Sequence, residues 1–315
     1  MAPRADPVSI GGAVDIGSNS VHLLVAITGP GWVEPLRDTS ELLGLGDTVD
    51  RHGFVPAEER ARVIGVLGKY VQTAHRSHAQ RVTLMGTEPL RRASNADLLV
   101  AEIAEATGLH LRILTEREEA TLTYVGVTRG ERPDAPVIVV DIGGGSTEVA
   151  VSVPGEAIHI ESVPVGSARL TNAIVTHDPP TEDELDRLRQ AAADATKGLT
   201  LPAAAHSGRG KLRALFVGGT ATNVARLGHL TREDLAEDRR TLSRLTRTAV
   251  SERFKVKPRR AGQLAAGVAI VDALLDRFGL AGAEASEASL RDGAIIAAAR
   301  LGDGWAARLD ELVTP

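Results

Sequence analysis

Two aspartates, Asp15 and Asp141, each open a hexapeptide of the same form: Asp15-Ile16-Gly17-Ser18-Asn19-Ser20 and Asp141-Ile142-Gly143-Gly144-Gly145-Ser146. These residue types at this spacing suit phosphate chemistry. Small turn residues offer backbone N–H groups and hydroxyls to anionic oxygens, and a carboxylate at the root of each turn suits a divalent ion. One D-x-G-x-x-S would be weak, because Asp commonly precedes Gly-rich turns. The same pattern in both halves of the chain is much harder to reach through turn chemistry alone. Other signatures are missing: no G-x-x-x-x-G-K-[ST], no G-x-G-x-x-G joining a strand to a helix, no H-E-x-x-H and no G-x-S-x-G. The absence of cysteine excludes a thiolate nucleophile, a disulfide framework and a Cys-based zinc site. His75 and His78, three apart on an expected helix, read as part of a solvated face.

The elements that must hold these loops are legible around them. Each hexapeptide follows a short apolar run and precedes an alternating one, Val21/Leu23/Val25/Ile27 and Thr147/Val149/Val151/Val153. That pattern is strand, tight turn, strand. After the first hairpin the spacing predicts a helix from Pro56 to about Gln80, with Pro56 at its first position and Ile64, Leu67, Val71 and Ala74 as an apolar stripe. A strand over Arg81–Met85, a helix after Asn95 that stops at Gly108, a strand over Leu111–Leu114 and a helix from near Glu116 follow. The polar stretch from Arg129 to Asp134 marks the boundary. The second half repeats the plan: a helix opened by a Thr181/Glu184 capping box, an apolar strand Ala214–Val217 running into Gly218-Gly219-Thr220, and helices over Gln263–Phe278 and Leu290–Arg300. Gly208 to Gly210 and Gly279 to Ala288 read as loops.

The chain has 315 residues, 43% hydrophobic and 24% charged, which allows two ordinary soluble domains with sizeable cores. No run approaches the roughly 18 apolar residues of a membrane span, and the first ten residues lack an apolar signal region. Cytoplasmic residence without a membrane partner is therefore expected. A net charge of −5 argues against a nucleic-acid partner. From Arg239 to Arg260, however, nine Lys/Arg stand against one acid, Glu252. The two readings of that stretch are a polyanion-binding surface and a solvated helix face.

Five segments together carry a family resemblance: Val14 to Ser20, Gly86-Thr87-Glu88-Pro89-Leu90-Arg91-Arg92-Ala93-Ser94-Asn95, Glu118-Glu119-Ala120, Asp141 to Glu148, and Gly218-Gly219-Thr220. Within the actin, Hsp70 and sugar-kinase superfold, the chain resembles the exopolyphosphatase/guanosine pentaphosphate phosphohydrolase (Ppx/GppA) family from about Gly12 to about Ala299. It is similar to the short members, which lack an extra C-terminal helical region. The resemblance implies an α/β fold of two actin-like (ribonuclease H-like) domains with an interdomain cleft. Domain I would comprise residues 1–128 plus about 290–315, and domain II residues 129–289.

The resemblance also implies roles. Glu119 would activate the attacking water, with Glu118 doubtful because acids in a helix's first turn are favoured anyway. Arg91 would bind phosphate through its planar fork, while Arg92 reads as a surface charge. Ser18, Asn19, Gly143, Gly144, Gly145 and Ser146 would donate to phosphate oxygens, with Gly218, Gly219 and Thr220 as a further anion site. Asp141 and Glu148, with Asp15 facing them, would hold Mg²⁺, with Mn²⁺ as the alternative. Arg259 and Arg260 would track the distal part of a long phosphate chain. The expected activity is removal of the terminal phosphate from inorganic polyphosphate by a homodimer. Guanosine pentaphosphate is the sibling substrate, and few aromatics, 3% of the chain, tilt against a guanine site. An actin-like ATP-dependent kinase and a non-catalytic polyphosphate or alarmone sensor are the remaining alternatives.

Overall fold

A computed structural model describes residues 8–207 and 210–314. Two compact units divide the chain: unit one is Met1–Pro133 with Ala288–Pro315, and unit two is Asp134–Glu287. The division after Pro133, five residues beyond the expected 128, has a local cause. Arg129 pairs with Asp292 at 2.8 Å, and Arg300 donates to the Gly130 carbonyl at 2.6 Å. Both bonds hold the polar stretch to the returning C-terminal helix.

Unit one is built on strands β1 (Ser9–Ile16), β2 (Ser20–Gly29), β3 (Trp32–Leu42), β4 (Arg81–Gly86) and β5 (Leu111–Ile113). Their order is β3-β2-β1-β4-β5; β1, β2 and β3 are antiparallel neighbours, and β4 and β5 run parallel to β1. Unit two contains β6 (Val137–Ile142), β7 (Thr147–Ser152), β8 (His159–Val163), β9 (Arg213–Val217), β10 (Leu230–Thr231) and β11 (Gly282–Ala285). Its order, β8-β7-β6-β9-β11-β10, repeats the first sheet strand for strand and adds β10 at the edge. The directions repeat as well: β6/β7 and β7/β8 are antiparallel, and β6/β9 and β9/β11 are parallel. The duplicated hexapeptide is thus one visible part of a duplicated domain, and each unit follows the actin-like plan.

Helices cover the sheets where the apolar periodicity requires them. Ala57–Arg76 buries Val63, Val66, Leu67, Tyr70, Val71 and Ala74, with Pro56 at the N-cap and not inside the first turn. The helix over Ala96–Thr107 lies between Asn95 and a left-handed Gly108, as its signals predict. In unit two, Leu264–Arg277 is buried along nearly its whole length and shares one core with β6, β7 and β9. β3 was not legible because it is an exposed edge strand, Trp-Val-Glu-Pro-Leu-Arg-Asp-Thr-Ser-Glu-Leu, with little alternation. β11 replaces part of the expected Gly279–Ala288 loop; its Gly-Ala-Glu-Ala sequence has no β-branched residue to announce it. Gly208 and Arg209 lie outside the described residues. No helix among the described residues is long and apolar enough to cross a membrane.

Candidate active site

Both hexapeptides form the turns of β-hairpins, and the two turns close alike. Gly17 N–H donates to the Ser20 carbonyl at 3.0 Å, and Gly143 N–H donates to the Ser146 carbonyl at 2.9 Å. The Gly143 amide is thus used within its own hairpin. The amides of Gly144 and Gly145 donate to no backbone carbonyl among the described residues.

Each turn is braced from the outside by the start of a following helix. In unit one, Leu43 and Gly44 donate to the Asn19 carbonyl at 3.1 and 2.9 Å, and Gly46 donates to the Ser18 carbonyl at 2.8 Å. In unit two, Ser167 donates to the Gly143 carbonyl at 3.2 Å, while Ala168 and Arg169 both reach the Gly144 carbonyl at 3.0 Å. Glycine is needed at both bracing points. A Cβ on Gly46 would lie 2.8 Å from the Ser18 Cβ, and one on Gly166 would run into the Gly144 backbone. Neither glycine stands out in the sequence, because each is set by a contact with a residue distant along the chain.

Unit one brings Glu119 and Arg91 together. Arg91 Nη1 donates to Glu119 Oε2 at 2.7 Å and to the Leu114 carbonyl at 2.9 Å. Glu119 is 7% exposed. Its neighbour Glu118 closes the helix's capping box with Thr115 and pairs with Arg112. The first-turn acid reading therefore applies to Glu118, whereas Glu119 is turned to Arg91. Its helix, Glu116–Val127, is fixed by Leu290–Leu301, where Gly126 and Gly293 allow backbone-to-backbone contact that any Cβ would block.

Glu88 was not singled out by the sequence, yet it is buried and accepts from the Ser18 hydroxyl at 2.9 Å. Arg92, expected at the surface, pairs with Glu88 and with Asp50, the latter at 2.6 Å. Burial opposes its charge, but these two carboxylates outweigh that and raise its pKa. Asp15 sits on β1 across from His22, half-buried, and Asn19 is buried.

Unit two gathers most of the other assigned residues. Asp141 and Glu148 are directly paired across β6 and β7, which puts both side chains on one face of the sheet. Both are buried, and Ser146 with them. The Asp141 carboxylate packs against Gly218, which has φ +84° and no room for a side chain. Thr220 donates to the Gly143 carbonyl at 3.1 Å and shares a 2.8 Å hydrogen bond with the Ser167 hydroxyl. Its hydroxyl ties the Gly218-Gly219 turn to the hairpin loop. Arg260 Nη2 would be 2.9 Å from a Cβ on Gly219, so this guanidinium lies over the same turn. Burial, with the charge of Arg259 beside it, pulls Arg260 down to about 10.

The acids of unit two fit a hard divalent cation of the Mg²⁺ type. Asp141 and Glu148 are oxygen donors on opposed positions, and no cluster of three acidic or histidine side chains able to hold a metal occurs among the described residues. Mg²⁺ is commonly held by one or two carboxylates, with waters and phosphate oxygens filling the remaining positions.

The Ppx/GppA phosphatase family matches residues 24–300. Exopolyphosphatase 2 of Mycobacterium tuberculosis is 30% identical over 314 residues, covering 89% of this chain and 96% of the relative. Exopolyphosphatase 1 of Mycobacterium leprae is 27% identical over 299 residues, covering 90% and 88%. Among solved structures, the Aquifex aeolicus Ppx/GppA enzyme gives a TM-score of 0.76 at 27% identity, covering 92% of this chain and 99% of that one. The chain belongs to the Ppx/GppA phosphatase family.

Proposed function

We propose that this protein is an exopolyphosphatase, hydrolysing the terminal phosphoanhydride of inorganic polyphosphate by Mg²⁺-assisted attack of water. The observation that carries the reading is the pairing of a buried carboxylate, Glu119, with Arg91 at 2.7 Å. Water attack on a phosphoanhydride needs an acceptor for the water's proton and a cation for the charge gathering on the phosphoryl oxygens. These two side chains have those properties, and the arginine holds the carboxylate in place. Glu119 orients the water and takes its proton; Arg91 presents N–H donors to the phosphoryl group. In unit two, Gly144, Gly145 and Ser146 bind the phosphate chain, Thr220 fixes the loop, and Asp141 with Glu148 would hold the metal. Mg²⁺, when bound, offsets phosphate charge.

Relatives named exopolyphosphatase in two mycobacteria support polyphosphate as substrate. Incubation with Mg²⁺ and, in parallel, polyphosphate, guanosine pentaphosphate or ATP, with released phosphate measured, tests the reading. Release from polyphosphate well above that from the two nucleotides is expected, and Asp141→Asn should lose most of it together with its Mg²⁺ dependence. Preferential turnover of guanosine pentaphosphate would transfer the assignment to that substrate. ATP consumption only with an added acceptor would make the protein a kinase.

A further inference from the structure

We propose that Arg169 is a phosphate-binding residue: it supplies the positive charge with which the Gly143–Ser146 loop holds a linear phosphate anion. The inference rests on the proposed function insofar as that loop is taken to receive substrate phosphate. Three observations lead to it.

The first is how the loop is braced. The helix Ser167–Ile174 points its N-terminus at the loop, an arrangement that often binds anions directly. Here the amides of Ser167, Ala168 and Arg169 are already donated to the carbonyls of Gly143 and Gly144. The helix end is occupied by the loop and has those three donors in use.

The second is the charge around the loop. Asp141 and Glu148 stand at its two roots, both buried. A phosphate reaching the Gly144 and Gly145 amides meets two carboxylates, and in a partly desolvated place that repulsion is weakly screened. A metal held by the carboxylates would offset part of it. A second cation on the loop side would offset more.

The third is the position of Arg169. Its own amide is bound to Gly144, and its Nε donates to the Gly145 carbonyl at 2.9 Å. Two bonds from one residue to consecutive loop carbonyls fix the guanidinium at the loop. Nη1 and Nη2 are one carbon from Nε, so the rest of the planar fork cannot be far from the glycines. The side chain is half-buried, which limits the entropy lost when it grips a ligand. Gly166, which admits no side chain beside Gly144, allows the helix to approach closely enough to place it.

The experiment compares wild type with Arg169→Gln, Arg169→Lys and Arg169→Ala. Gln can still donate to the Gly145 carbonyl but carries no charge; Lys keeps a charge without the fork. Tripolyphosphate binding is measured by calorimetry, kcat and KM on tripolyphosphate and long polyphosphate by phosphate release, and folding by thermal melting. Arg169→Gln should weaken tripolyphosphate binding and raise KM by about tenfold or more, with kcat changed by less than about threefold, as expected when mainly binding is lost. Arg169→Lys should fall between, and guanidinium ion at non-denaturing concentration should partly restore Arg169→Ala. Wild-type affinity in all three variants would overturn the proposal. So would a loss that follows a lowered melting temperature and resists guanidinium, which would make the residue a brace. If wild type binds tripolyphosphate but releases no phosphate from either chain, the proposed function fails while the binding comparison still decides the role of Arg169.

Discussion

At the residue scale, the pairing of Glu119 with Arg91 makes the choice of substitution informative. Glu119→Gln keeps an oxygen that can accept from Arg91 but cannot take a proton. It should reduce kcat on the order of 10²–10⁴-fold with polyphosphate binding nearly intact. Glu119→Ala would leave a mostly buried guanidinium without this partner and cost about 3 kcal/mol of stability as well. Phosphate-release kinetics beside thermal melting separate the two effects, and equal kcat losses for Glu118→Gln and Glu119→Gln would remove Glu119 from the chemistry.

Arg260 invites a different test. Its guanidinium lies over Gly219, in the network that joins Thr220 to the hairpin loop. Arg260→Gln is therefore expected to raise KM for tripolyphosphate and for long polyphosphate alike. KM against chain length is the measurement; an effect confined to long chains would return Arg260 to the distal role that the sequence suggests. Glu119 and Arg91 were legible only through resemblance to a family, since acids in a first helical turn are common. Glu88 and Arg169 were not legible at all, because each acts on a loop from a separate element.

At the element scale, the two phosphate-type loops are held by close backbone approach, and glycine is the residue that permits it. Gly166→Ala should displace the Gly143–Gly145 loop, costing about 1–3 kcal/mol as overpacking usually does and most of the activity with it. Gly65 is the contrast. It lies within the helix Ala57–Arg76 with nothing near its missing Cβ, so Gly65→Ala should stabilise by about 0.5–1 kcal/mol. Denaturant unfolding with activity assays checks both; equal behaviour of the two variants would contradict the bracing role.

The elements themselves were readable where period and punctuation agreed. The Thr181/Glu184 box opens its helix as expected, and Glu184, buried yet accepting from His177 and from the Thr176 and Thr181 amides, is held well below the usual carboxylate range. Elements were missed where neighbours and not local pattern decide the conformation, as in β3 and β11.

At the scale of the whole molecule, one group ties the stability of unit two to pH. Asp238 lies on the buried stripe of the helix Arg232–Leu242, between Leu235 and Leu242. Its Oδ2 has no hydrogen-bond partner among the described residues. Burial, with Asp234 and Glu237 nearby, raises its pKa to about 7. The folded chain keeps this proton up to about pH 7, whereas the unfolded chain loses it near an ordinary Asp value of about 3.9. Between those values the folded state binds more protons, so stability from this group falls as pH rises and levels off above about 7. Asp238→Asn should remove that slope. It should melt higher than wild type at pH 8, by about 4–8 °C for a cost on the order of 2 kcal/mol, and show little difference at pH 4. Parallel melts across that range decide it; a constant offset at every pH would mean that Asp238 does not titrate there.

Unit one closes on itself only through Ala288–Pro315, which returns after all of unit two has been threaded. Leu290, Ala294, Ile295 and Ala298 from that return share a core with Ala13 and Leu24 of the first hairpin and Leu122 of the Glu119 helix. During synthesis, then, the second half of the duplication can complete its fold while the first still lacks a wall. A chain truncated before Ala288 would keep every strand of both sheets but expose apolar residues on β1 and β2, the kind of surface that chaperones bind. The unit whose strands are made first is the one whose core waits longest for its last wall.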